Sequence, residues 1–88
     1  MKTIEITWNV NTEPDMQSYL VYENDVLVQT IAHPTTICTL TRADGNYSYS
    51  IAARDTSGNI SERTTPITIK IDTVPPTVPT GLKAIIKN

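Results

Sequence analysis

Apolar and polar residues alternate along most of the chain. In residues 2–10, Ile4, Ile6 and Trp8 fall on one side and Thr3, Glu5 and Thr7 on the other. A period of two marks a strand with one buried face. Residues 11–18 are polar, with Glu13-Pro14-Asp15 at their centre, and read as a loop. Residues 19–23 form a second strand, with Tyr19 and Val21 on one face and Leu20 and Tyr22 on the other. Asn24-Asp25 tolerates positive φ and predicts a tight hairpin into residues 26–31. His33-Pro34 ends that strand. Residues 35–41 are β-branched and apolar, a fourth strand whose register stays open: Cys38 and Leu40 share a parity that Ile37 does not. After a turn at 42–46, residues 47–55 alternate again, Tyr47, Tyr49, Ile51 and Ala53 against Ser48, Ser50, Ala52 and Arg54. Residues 56–63 make a second polar loop around Ser57-Gly58-Asn59, and residues 66–72 carry Ile67, Ile69 and Ile71 on one face, with Pro66 suited to an edge strand.

The pattern changes after Asp72. Residues 73–80 hold three of the six prolines and predict a stiff, extended polyproline-type segment. Residues 81–87 (GLKAIIK) then read as one more short strand. Three segments follow: a sandwich over 1–72, a Pro-rich linker over 73–80, and a terminal strand over 81–88. Short strands with turn signals every eight to twelve residues predict an all-β sandwich of about seven antiparallel strands. The candidate core is Trp8, Tyr19, Val21, Leu40, Tyr47, Tyr49, Ile51 and Ala53. With no Phe in 88 residues, four Tyr and one Trp must supply much of its bulk.

These residues resemble the fibronectin type III family in its bacterial and phage form. Trp8 stands where the family has strand B. Tyr19-Leu-Val-Tyr22 and its hairpin stand at C and C′, and the run from Asp44 to Ser61 is similar to strand F and the loop after it. The resemblance implies an immunoglobulin-like sandwich and a tyrosine corner at Tyr47, its hydroxyl bonding back to the preceding turn. One departure matters. The family's first strand, Pro-x-x-Pro-x-Gly-Leu-x-Ala, has no room before residue 3, and its motif stands instead at the far end, from Pro76 to Ala84. Strand B is therefore expected to have a bare edge, and Gly81, Leu82, Ala84, Ile85 and Ile86 to form a loose strand that matches it. Three outcomes stay open: exchange of that strand between copies, closure on its own domain across about 25 Å of linker, and docking on another partner or disorder. The offset also fits a segment cut one strand late from a tandem array.

Composition narrows the function more than it names one. The net charge of −2 and the lack of a Lys/Arg stripe exclude nucleic acid as an expected partner. No apolar run suggests a membrane-inserted segment or a leader, which, if Met1 is the true start, predicts a cytosolic product. One His and one Cys fall short of a zinc set, so no metal, cofactor or catalytic residue is assigned. His33 reads as an exposed turn residue and Cys38 as a buried structural thiol. The carboxylates Glu13, Asp15, Asp55, Glu62 and Asp72 read as solvated surface charge. Asn46-Tyr-Ser48 and Asn59-Ile-Ser61 fit the glycosylation pattern, which matters only on a secretory route.

The surface left for function is the loop pole, with Asp15, Met16, Gln17, Ser57, Gly58 and Asn59 as candidate binding residues. Two expectations follow, both non-enzymatic. The first is a phage virion protein, on a capsid or tail surface, assembling with copies of itself or with the particle by donation of its C-terminal strand. The second is a spacer or adhesion module of a larger extracellular bacterial protein, with a cell-surface glycan or protein as partner.

Overall fold

The computed structural model describes residues 1–87. Six strands appear in chain order: β1 (Lys2–Thr7), β2 (Met16–Glu23), β3 (Val26–Ala32), β4 (Ile37–Arg42), β5 (Gly45–Asp55) and β6 (Ile67–Ile71). All pairings are antiparallel. They make two sheets, one of β1–β4 and one of order β3-β2-β5-β6. This is an immunoglobulin-like, fibronectin III-like β-sandwich, as the alternating pattern and the resemblance implied. The strand expected over 81–87 is not formed within the chain, so the count is six and not seven. Residue 88, the last of the terminal strand expected over 81–88, lies outside the described residues.

Local chemistry explains most of the elements. Asn24 and Asp25 sit at φ 50° and 67°, the left-handed values a two-residue hairpin requires. The open register of β4 is settled by burial: Cys38 and Leu40 point inward at 3% and 6% exposure, while Ile37 is 43% exposed. Pro66 stands just before β6, which is an edge strand of its sheet. Residues 60–64 are less loop-like than their polarity suggests. Ser61 N donates to Ala53 O at 2.8 Å and Thr64 N to Ile51 O at 2.9 Å, so this stretch continues the β6 side of the sheet along β5.

The core differs in part from the expected list. Ile4, Ile6, Val21, Cys38, Leu40, Tyr49 and Ile71 form the buried cluster. Trp8, Tyr47 and Ile51 only pack against it from partly buried positions. Ala53 is half-buried and outside the cluster, while Ala52 on the opposite face is 2% exposed. Two strands face four: Tyr47, Ile51 and Ala53 of the central strand β5 stay partly exposed, while Ile71 of the edge strand β6 is buried. Leu20 and Ala52, paired across the two central strands β2 and β5, are shielded by their neighbours even on the outer face. The tyrosine corner forms as the resemblance implied: Tyr47 Oη donates to Ala43 O at 2.8 Å, and its ring lies against Gly45.

The sheets are joined by a polar contact that the alternation gives no hint of. Arg42 of β4 donates from Nε to Glu23 Oε2 of β2 at 2.7 Å, and Tyr49 of β5 donates from Oη to the same oxygen at 2.6 Å. Burial pushes the Glu23 carboxyl up, but the Arg42 and Tyr49 hydrogen bonds and the Arg42 charge outweigh it and leave the group below its ordinary value. Burial, then the Glu23 carboxylate beside it, raises the Tyr49 phenol. Hydrogen bonds to charged groups contribute about 1.5–3 kcal/mol each where water is excluded, and here both ends are mostly covered, at 27% and 14% side-chain exposure.

Glu23→Gln is expected to lower unfolding free energy by about 1–3 kcal/mol at neutral pH, measured by urea titration. The sign with pH follows from the lowered carboxyl: its contribution is present above the unfolded value of 4.5 and is lost as pH falls through the lower folded value. The native protein should therefore lose more stability than the Gln variant when acidified through that window. Equal acid sensitivity of the two would remove Glu23 from the account.

Candidate functional site

The loop pole is built by two connections that meet at the ends of β2 and β5. Residues 8–15 lead into β2, and residues 55–61 leave β5. Thr56 N donates to Asp15 O at 2.9 Å and ties the two together. Between them lies a shallow groove of about 260 Å³ lined by Asn11, Glu13, Asp15, Met16, Asp55 and Asn59, with Ala53, Ile60 and Ser61 completing it. Of the residues expected there, Asp15, Met16 and Asn59 line the groove. Gln17, Ser57 and Gly58 do not. Met16 and Gln17 belong to β2 and not to the loop, and Gln17 Oε1 accepts from Arg54 Nε at 3.0 Å.

Asp55 is the organiser of the second connection. Its Oδ1 accepts from Ser57 N and Asn59 N, each at 2.9 Å, and its Oδ2 accepts from Asn59 Nδ2 at 3.1 Å. Gly58 takes the positive φ of 87° that closes the turn. These bonds, those from Asn59 first, hold the Asp55 carboxyl below its ordinary value. Both oxygens are thus committed to the turn's own backbone and side chain, so Asp55 shapes the groove and does not act as an acid in it.

Beneath the first connection lies an aromatic cluster. Trp8 and Tyr19 meet edge to face at 5.3 Å, and His33 lies 6.0 Å from Tyr19. Tyr19 Oη accepts from Asn11 N at 2.8 Å, and His33 Nε2 lies 3.1 Å from Asn11 O. His33 was expected as an exposed turn residue; it is half-buried instead, pinning the loop to the end of β3. A lone histidine in a sequence carries no sign of such a contact, because its partner is a backbone carbonyl 22 residues away.

The remaining chemistry is sparse. Cys38 is buried, and burial raises its thiol against a smaller opposing effect of the Arg42 charge, the reverse of an activated nucleophile. Among the described residues no group of His, Cys, Asp or Glu is arranged to hold a metal ion. Among the described residues no helix is long and apolar enough to cross a membrane. The tail residues Leu82, Ile85 and Ile86 are 97%, 71% and 94% exposed, and the groove at the loop pole does not include them. Glu23 and Arg42, which no motif singles out, form an ion pair at 2.7 Å. Their signal is only that each charge stands at the end of a strand, next to a turn.

The fold is that of a β-sandwich, and in each protein it resembles the match covers a small part. No family model matches the chain. It is 31% identical over 68 residues to chitinase Chi52 of Paenibacillus xylanexedens, a match covering 76% of this chain and 13% of that protein. It is 29% identical over 72 residues to chitinase D of Niallia circulans, covering 81% and 14%. Among solved structures it resembles the Clostridium perfringens spore cortex lytic enzyme SleM with a TM-score of 0.67 and 26% identity, over 78% of this chain and 24% of that one. The chain therefore spans about a seventh of the length of the curated relatives it matches. None of the three is a virion protein by name, and the virion expectation has no support; the similarity fits the second expectation, a module of a larger bacterial protein.

Asp55→Ala is expected to open the 55–59 turn. The measurement is amide hydrogen exchange, with protection at Ser57 and Asn59 falling in the variant and the β2–β5 pairing retained. Because the folded carboxyl titrates below its ordinary value of 3.8, the native turn holds above that value and loosens as pH falls through the lower one. Unchanged protection at both amides would mean that the carboxylate does not hold the turn.

Proposed function

We propose that this chain is a non-catalytic spacer module of a larger extracellular bacterial protein that acts on a polysaccharide. The observation that carries the reading is one of proportion. Each relative is a named lytic enzyme or chitinase of which this sandwich matches only 13–24%, a share too small to hold the enzyme's catalytic domain but suited to an accessory one.

Two features of the chain support spacing over adhesion. Sugar faces are usually gripped by exposed aromatic rings, and here Trp8, Tyr22 and Tyr47 are half-buried while Tyr19 and Tyr49 are buried. Tyr22 is further covered by the Arg63 guanidinium, 4.8 Å above its ring. The linker over 73–80 runs extended and without regular pairing, and its prolines resist collapse, as a distance-keeping segment requires.

The test is a sedimentation assay of the purified chain with insoluble chitin and with peptidoglycan sacculi. The chain should remain in the supernatant like an unrelated β-sandwich control, and should release no soluble sugar. Retention on either polymer would replace the spacer reading with adhesion, and sugar release would overturn the non-catalytic one.

A further inference from the structure

One long side of the sandwich is unfinished. Among the described residues β1 pairs only with β4. Trp8 N donates to Thr36 O at 3.2 Å in register with that ladder. In an antiparallel strand the backbone groups alternate sides, so Ile4 and Ile6 bond toward β4 and Thr3, Glu5 and Thr7 present theirs to the open edge. Beside that edge lies a second groove, of about 190 Å³, walled by Ile6 and Trp8 of the narrow sheet and by Tyr49, Ile51 and Ile67 of the wide one. Trp8 Nε1 is buried there with no acceptor among the described residues. A row of free amides over an apolar trough calls for an added strand with every second residue apolar.

The chain carries such a segment. Leu82, Ala84 and Ile86 share one parity and Lys83, Ile85 and Lys87 the other. With the apolar set turned into the trough, the two lysines fall on the outer face. There Glu5 is the single charge that β1 presents between Thr3 and Thr7, so opposite charges face or lie diagonal across the new pair.

Direction decides whose segment it is. The registers Lys2↔Arg42 and Gly45↔Ile71 put the start of β1 and the end of β6 at one pole, and Thr73 N is held there by Asp44. A strand antiparallel to β1 must end at that pole, but the chain's own tail begins there. It also runs away from the domain. The molecule measures 80 × 24 × 20 Å with a radius of gyration of 21.0 Å, against about 12 Å for a compact chain of this length. A second copy stacked in the same orientation beyond that pole receives the tail at its opposite pole, with β6, linker and added strand all running one way. We infer that residues 81–87 of one molecule add as an antiparallel strand to the open edge of β1 in a second copy of this chain, completing its sandwich head to tail. Such a contact is heterologous and propagates into open chains. It does not depend on the spacer reading.

Sedimentation equilibrium of the intact chain over a wide concentration range tests it, with two variants. Leu82→Asp with Ile86→Asp disables the tail. Glu5→Pro disables the edge, removing an amide that faces outward and sparing the β4 ladder; Thr7→Pro serves if Glu5→Pro shows no thermal unfolding transition. The intact chain should exceed its 9.7 kDa monomer mass as concentration rises. Each variant should stay monomeric at ten times the concentration that half-associates the intact chain. A mixture of the two should form a one-to-one dimer, since one keeps its edge and the other its tail. An intact chain that stays monomeric throughout overturns the proposal, whether the tail is free or, by protection of amides 82–86, folded onto its own β1. So does association that both variants retain.

Discussion

A two-stranded sheet has too little face to close a sandwich over a four-stranded one, and the rest of this structure follows from that constraint. Ile4 and Ile6 from β1 and Cys38 and Leu40 from β4 are the whole inward contribution of the narrow sheet to the buried cluster. They pack with Val21, Tyr49 and Ile71, and Trp8, Tyr47, Ile51 and Ile69 lie partly exposed against that cluster. Small domains bury only about 60–65% of their unfolded surface even when complete, so an incomplete one must bind its halves by other means.

The Glu23–Arg42–Tyr49 contact is such a means. It ties β4 to β2 and β5 across the gap between sheets, at the end of the sandwich where the tight turns lie. A charge pair in a fully dry core would cost in desolvation what it returned. Here the pair sits at the margin, partly wetted, with one carboxylate oxygen accepting from two donors. At the other end the Trp8, Tyr19 and His33 rings, with the bonds of Tyr19 and His33 to Asn11, close the loop pole. Polar and aromatic contacts thus finish both ends of the sandwich. Along the side beside β1, among the described residues, the strand edge is unpaired.

That division of labour bears on what such a module can do. The loop pole is rigid where Asp55 holds its turn and shallow where a ligand would need depth. The rings that could stack on a sugar are spent on packing. What remains accessible is shape: a stiff body, a stiff linker, and a bare strand edge. The spacer proposal rests on these features together with the small share of each protein that the chain matches.

The strands, their inward faces and the hairpin at Asn24-Asp25 were legible in the sequence, because period-two alternation and positive-φ residues report on the chain's own backbone. The tyrosine corner came with the family resemblance, and the change of character at Asp72 with the prolines after it. The register of β4, the choice of Ala52 over Ala53, and the half-burial of Trp8 and His33 were not legible. Each depends on what stands opposite in space, and the narrowness of the facing sheet is written in no local pattern. The Glu23–Arg42 pair lay equally out of sight, since 19 residues separate its members and only the packing of the two sheets brings them to 2.7 Å. Sequence alone determined the period-two strands and which side of each is apolar, and offered a strand over 81–87 that does not form within the chain. Tertiary structure decided how much of each face is covered, because burial is a property of the partner as much as of the residue.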